Sequence, residues 1–161
     1  MIKNLIGAFV MICCVFASTL GFAQDQKTID DAILTKYFEK NKIKATRTAS
    51  GLYYVITKKG TGANAQAGKM VNMNYYGKFL DGKKFDSNVD ENWTSLRPPL
   101  QFTLGQHMVI TGWDQGIELL NPGTKATLYI PSHLAYGPSG RGPIPPNTIL
   151  VFDVELVSVG N

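Results

Sequence analysis

Val109-Ile110-Thr111-Gly112-Trp113-Asp114-Gln115-Gly116-Ile117-Glu118-Leu119-Leu120-Asn121-Pro122-Gly123 is the stretch that decides the fold. Trp113, Ile117 and Leu120 recur at i, i+4 and i+7, and Asn121-Pro122-Gly123 ends the run. That is one face of a short amphipathic helix. On both sides of it the period is two. Leu52, Tyr54 and Ile56 alternate with Tyr53, Val55 and Thr57, and Val71, Met73 and Tyr75 with Asn72, Asn74 and Tyr76. Leu100, Phe102 and Leu104 flank Gln101 and Thr103. Ala126, Leu128 and Ile130 follow the same rule, as do Leu150, Phe152, Val154 and Leu156. These runs read as half-buried antiparallel strands with one wet face. Turn signals separate them at Gly60-Thr61-Gly62, Asp81-Gly82, Asn121-Pro122-Gly123 and the Gly/Pro-rich stretch 137–147. A lone helix among strands belongs across their dry face. The expected fold class is therefore α+β, an antiparallel, strongly twisted β-sheet of about five strands wrapped around one short α-helix.

The chain of 161 residues opens on a different kind of segment. Lys3 precedes an apolar run, Leu5 to Leu20, and Gly21-Phe22-Ala23 offers small residues at a cleavage site. This predicts a cleaved signal peptide over 1–23 and an exported mature chain from Gln24. The apolar run is short for a membrane span. Cys13 and Cys14 both fall within it, so the mature chain has neither disulfide nor thiolate chemistry. Loss of Lys3 leaves fifteen basic against twelve acidic side chains, spread without blocks. Nothing in that pattern calls for nucleic acid or, after cleavage, for a membrane.

Residues 24–50 read as an N-terminal helix and a linker, ahead of the domain at 51–161. Thr28 can cap a helix beginning at Ile29, with Asp30 and Asp31 in its first turn and Asn41 as its stop. Ile29, Ile33 and Tyr37, with Leu34 and Phe38 beside them, form its apolar stripe. Three turns make a weak coiled-coil seam, so docking on the domain is favoured over dimerisation, and a monomer over a dimer. Residues 42–50 read as a polar linker.

Conventional catalytic chemistry finds no footing. His107 and His133 lack acidic or cysteine partners at ligand spacing, so no metal is expected. Ser132-His133 is a sequence neighbour pair without the G-x-S-x-G of a nucleophile elbow. Gly137 to Gly142 lacks the Gly-Lys-Ser/Thr ending of a phosphate loop. Asp86 with Asp90, or Asp114 with Glu118, could be paired carboxylates, but such pairs are usually solvated. What remains is a set of large residues near turns: Tyr75, Phe85, Trp113, Tyr136 and Phe152. They could simply be core. Yet a sealed core would have to satisfy two tyrosine hydroxyls and Asp86, whereas a concave pocket with polar groups at its rim would not.

The order of motifs is informative. Val71-Asn72-Met73-Asn74-Tyr75-Tyr76-Gly77, Phe85-Asp86-Ser87, Phe102-Thr103-Leu104-Gly105, Val109-Ile110-Thr111-Gly112-Trp113, Ala135-Tyr136-Gly137, Ile144-Pro145-Pro146 and Leu150 to Leu156 follow one another at compatible spacing. This series, over roughly 51–158, resembles the FKBP family of peptidyl-prolyl isomerases. The resemblance implies a peptidyl-prolyl cis–trans isomerase without cofactor. Trp113 would be the floor under a proline ring, with Tyr75, Phe85, Val109, Ile110 and Phe152 as walls. Tyr136 through its hydroxyl and Ile110 through its N–H would donate to substrate carbonyls. Asp86 would sit at the rim, oriented by Tyr75, and Leu100, Ala135 and Ile144 would border the opening. The implied partners are proline-containing polypeptide clients and macrolide ligands, and the signal peptide expected at 1–23 points to a bacterial periplasm or the secreted space. Some positions depart from the family pattern. Leu100 replaces a frequent aromatic, the segment Asn88–Pro98 is long, and the loop 137–143 carries Pro138 and Arg141. A proline-peptide-binding or chaperone module of the same fold, with little turnover, is the alternative.

Overall fold

The computed structural model describes residues 25–160. The expected signal peptide at 1–23 lies outside the described residues. One antiparallel sheet of seven strands organises the rest. Its strands are β1 (Thr46–Arg47), β2 (Tyr53–Lys58), β3 (Met70–Lys78), β4 (Lys84–Ser87), β5 (Leu100–Thr103), β6 (Lys125–Ile130) and β7 (Leu150–Val159). They run in the order β1-β2-β6-β7-β3-β4, and β5 pairs with the first half of β3.

The five strands marked by alternation are all present, and two more accompany them. β1 lies within the stretch read as a polar linker and is two residues long, too short to show a period. β4 offers only Phe85 as a large apolar residue. It is brought back onto β3 by the Asp81-Gly82 turn, where Asp81 Oδ1 accepts from the Lys83 N–H at 2.9 Å and Gly82 takes a φ of 87°.

The inner face carries the main core: Leu52, Val71, Met73, Leu128, Ile130, Leu150, Val154 and Leu156 are buried there. Helix α2 (Thr111–Ile117) crosses this face. It can sit close because two glycines face β6. A Cβ on Gly112 would lie 2.4 Å from Ile130 Cγ2, and one on Gly116 2.8 Å from Leu128 Cδ1. Trp113, Ile117 and Leu120, the spacing on which the helix was read, are all buried, although the helix ends at Ile117 and Leu120 lies in the turn beyond it.

The outer face is not uniformly wet. Helix α1 (Gln26–Asn41) covers one end of it, packing Leu34 and Phe38 on Tyr53, Tyr129, Ile149 and Val151. The favoured docking of this helix is therefore what the structure shows. Its boundaries and stripe differ from expectation. The helix starts at Gln26, with Asp25 preceding it, and Thr28 lies inside its first turn rather than capping it. The buried stripe is Asp30, Leu34 and Phe38, and Ile33 stays 44 % exposed. A buried carboxylate shifts the stripe: Asp30 Oδ2 accepts from the Ser132 N–H at 2.7 Å and its Oγ–H at 2.6 Å, and Oδ1 accepts from Gln26 Nε2 at 2.8 Å. Beyond α1 the outer face is polar, as alternation requires. There Asp153 accepts from Thr127 and Lys78, and Glu155 accepts from Asn74.

Candidate active site

The start of β5, the start of α2 and the loops after β6 enclose a cleft of about 740 Å³ on the inner face. Trp113 lies at its base, 3 % exposed. Tyr75 from β3 and Phe152 from β7 meet the indole edge-on, each with ring centroids at 5.3 Å, at interplanar angles of 80° and 83°. Phe85 from β4 meets Phe152 edge-on at 5.4 Å. Edge-to-face contacts suit the ring quadrupoles and fix the orientation of each wall. The close approach needs Gly77, where a Cβ would lie 2.8 Å from both Phe85 and Phe152. Val109 and Ile110, just before α2, complete that side.

Ala135 and Tyr136 enter from the turn after β6, and Ile144 from the Gly/Pro-rich loop. This loop is shaped by reciprocal N–H···O bonds of 2.9 Å between Arg141 and Ile144. Gly140, at a φ of 63°, is confined there, because a Cβ would lie 2.5 Å from the Ile144 carbonyl oxygen. Leu100 stands at the opening, 39 % exposed. Every site residue expected from the sequence thus lines one cleft.

The polar rim is organised around Asp86. Tyr75 donates its hydroxyl to Asp86 Oδ2 at 2.7 Å, and the Arg97 guanidinium donates to Oδ1 at 2.8 Å. Arg97 also donates to the Ser87 carbonyl. Burial, then the hydrogen bond to the Asp86 carboxylate, pushes the Tyr75 phenol up to about 12. Tyr75 is thus a neutral donor at any ordinary pH. Asn88, 2 % exposed, fixes the backbone behind it. Its Oδ1 accepts from the Tyr75 N–H at 2.7 Å, and its Nδ2 donates to the Met73 carbonyl at 2.9 Å.

Arg97 and Asn88 were missed by sequence reasoning, since their roles appear only once the segment after β4 has folded back. Asp90 Oδ1 accepts from the N–H groups of Asn92 and Thr94, turning the chain, and Lys125 Nζ lies 4.1 Å from the centre of the Trp93 ring. The only signal was Arg97-Pro98-Pro99, a cation held on extended backbone. His107, Met108, Thr111, Arg141, Gly142 and Pro143 also line the cleft and were not foreseen. Asp114, weighed above as one of a pair, is buried and structural: its carboxylate accepts from the N–H groups of Gly105 at 2.9 Å and His107 at 3.2 Å. This holds the turn that presents Val109 and Ile110.

Two donors on residues that line the cleft are left over. Among the described residues, neither the buried Trp113 Nε1–H nor the Ile110 N–H has a protein acceptor. The serine–histidine neighbours do not form a nucleophile and base. The Ser132 hydroxyl donates to Asp30, and His133 Nε2 lies 3.1 Å from the Ser50 carbonyl oxygen. Among the described residues, no cluster of His, Cys, Asp and Glu is grouped for a metal ion.

Residues 61–157 match the family model described as FKBP-type peptidyl-prolyl cis-trans isomerase. The chain belongs to this family. Its FKBP-type domain is 45 % identical over 121 residues to the FKBP-type peptidyl-prolyl cis-trans isomerase FkpA of Aeromonas hydrophila, covering 75 % of this chain and 42 % of that protein. It is 42 % identical over 139 residues to a probable FkpA of Neisseria meningitidis, covering 86 % of this chain and 48 % of the relative. The chain thus spans less than half the length of these two relatives. Among solved structures, FkpA from Escherichia coli superposes with a TM-score of 0.69 at 36 % identity, covering 83 % of this chain and 61 % of that one. A peptidyl-prolyl cis-trans isomerase from Pseudomonas syringae gives 0.66 at 31 % identity, covering 84 % and 96 %. FK506-binding protein 1 of Saccharomyces cerevisiae is 48 % identical over 102 residues, covering 62 % of this chain and 85 % of that protein, so FKBP-type relatives reach beyond bacteria.

Proposed function

We propose that this domain accelerates cis–trans rotation about X–Pro bonds in exported polypeptides, as a folding helper in the periplasm or secreted space. The observation that carries the reading is an aromatic cleft over Trp113 beside which the Ile110 N–H has no protein acceptor among the described residues. Rotation about a peptide bond costs about 18–20 kcal/mol because resonance must be broken. No bond to carbon is made or cleaved, so neither a nucleophile nor a cofactor is needed. The planar amide has more charge separation than the twisted one. An apolar enclosure disfavours the planar state relative to the twisted state, which is selective binding of the transition state. In this reading the proline ring sits on Trp113, between Tyr75, Phe85 and Phe152. The Ile110 N–H and the Tyr136 hydroxyl hold carbonyls of the rotated chain. The Asp86, Tyr75 and Arg97 cluster keeps that wall in register. Val109, Leu100, Ala135 and Ile144 set the width of the opening, where a macrolide could also bind. The leader at 1–23 would direct export, and the mature chain would act as a monomer.

The test is a refolding reaction limited by proline isomerisation, which takes tens to hundreds of seconds unaided. The mature chain at micromolar concentration should shorten the slow phase in proportion to its amount. A slow phase that does not respond overturns the proposal.

A further inference from the structure

Ile33 belonged to the expected apolar stripe of α1, yet it is 44 % exposed. It does not face open solvent in isolation. It forms one wall of a second groove of about 510 Å³, within the usual size range of ligand pockets. The other apolar walls are Phe79 and Leu80 at the end of the β3–β4 hairpin, and Pro143, Pro145 and Ile149 in the loop before β7. Two features tie this groove to the cleft over Trp113. Pro143 lines both. Phe79 packs on Phe85, a wall of the cleft, with centroids 5.0 Å apart. A chain leaving the cleft over Pro143 would therefore pass from one apolar surface directly to the next.

We infer that the groove between Ile33, the β3–β4 turn and Pro143–Ile149 is a second subsite for the same client chain, taking an apolar side chain that flanks the bound proline. The inference rests on the isomerase reading and adds a substrate class to it: extended, unfolded polypeptides with an apolar residue near the proline, in preference to short peptides. It also gives α1 a part in recognition. The continuity at Pro143 selects a client chain as occupant over a second copy of this protein.

The experiment compares kcat/KM on two substrates, a short X–Pro peptide that ends within the cleft and a long unfolded chain with an apolar residue near its proline. Ile33→Asp and Ile33→Lys, at an exposed helix position, should each lower the long-substrate value about fivefold, the loss of part of one buried aliphatic side chain. The short-peptide value should not move, and Ile33→Leu should restore the long-substrate value. Equal losses on both substrates, no loss on either, or a loss with only one sign of charge overturns the subsite. So does a dimer that dissociates on Ile33→Asp while the substrate ratio holds, since that assigns the groove to a second copy. If the wild type turns over neither substrate, the isomerase reading fails instead. The affinities of the two chains, read by tryptophan fluorescence, then decide the subsite by the same ratio.

Discussion

The two faces of the sheet bury aromatic rings in opposite ways. On the outer face, Phe38 of α1 meets Tyr53 at 5.0 Å and Tyr129 at 4.9 Å, and the helix closes over them. The charge buried with them is fully answered: Asp30 takes donors from Ser132 and Gln26. On the inner face, Trp113, Tyr75, Phe85 and Phe152 make equally specific contacts but leave a cleft between them. The Trp113 Nε1–H has no protein acceptor there, and the Asp86 side chain remains about half exposed. Under α1 the buried carboxyl has its partners and the rings are covered, whereas the inner face leaves the Ile110 N–H and an apolar cleft for something else to complete. Departures from full satisfaction gather at functional sites, because a ligand can return what the fold leaves unmade. Stability and activity should therefore separate between the faces.

The largest effect tests the outer face. Asp30→Ala leaves the Ser132 N–H and hydroxyl buried without an acceptor and should cost about 3 kcal/mol of unfolding free energy. Urea denaturation measures it. Rates on a short X–Pro peptide, per folded molecule, should stay at the wild-type value. A rate that falls as far as the stability does would mean the two faces act as one unit.

Gly112→Ala strikes where stability and activity must couple. The new methyl group would meet Ile130 Cγ2 at 2.4 Å, so α2 must move away from β6 and carry Trp113 with it. Overpacking of this kind costs about 2 kcal/mol, and here the isomerase rate should fall too, with a shift in tryptophan emission. Retained activity with lowered stability would show that the floor tolerates displacement.

Tyr136→Phe reverses the Asp30 pattern. The ring that lines the cleft is kept and only the hydroxyl goes. The rate should fall about tenfold, the loss of one hydrogen bond to the rotated chain, while the denaturation midpoint holds. A wild-type rate in this variant would remove Tyr136 from the mechanism.

The same contrast explains what could be read in advance. The inner face was legible because period two in the strands and the i, i+4, i+7 run from Trp113 each name their buried residues locally. Its site was legible because the family resemblance rests on residues that line the cleft directly. The outer face was half legible. Alternation places Tyr53, Tyr129 and Val151 there but cannot say that a helix will cover them. The stripe of α1 was placed only in part, at Leu34 and Phe38, because a carboxyl group, Asp30, is as fully buried as Leu34, and no hydropathy pattern puts such a group inside. Ser132, its partner, is distant in sequence. Arg97 and Asn88 were hidden for a related reason: they act through a segment whose return path is set by Asp90 and by Trp93 under Lys125.

The smallest effect is one of slope, and it compares a tyrosine from each face. Burial leads in pushing both Tyr75 and Tyr129 up to about 12. An unfolded tyrosine releases its proton near pH 10. Below that, both states are protonated and these groups add no pH dependence. Between about 10 and about 12 the unfolded chain binds fewer protons than the folded one, so stability must fall as pH rises. Tyr75→Phe and Tyr129→Phe should each flatten that limb by one proton's worth, seen as urea unfolding free energy against pH. The rates should then part. Tyr75→Phe also removes the donor to Asp86, leaving Arg97 to hold the carboxylate alone, so its isomerase rate at neutral pH should fall severalfold. Tyr129→Phe should keep its rate, since its hydroxyl lies on the closed face. Parallel alkaline limbs in wild type and Tyr75→Phe would mean that the phenol is not withdrawn from water, and that burial does not hold its proton.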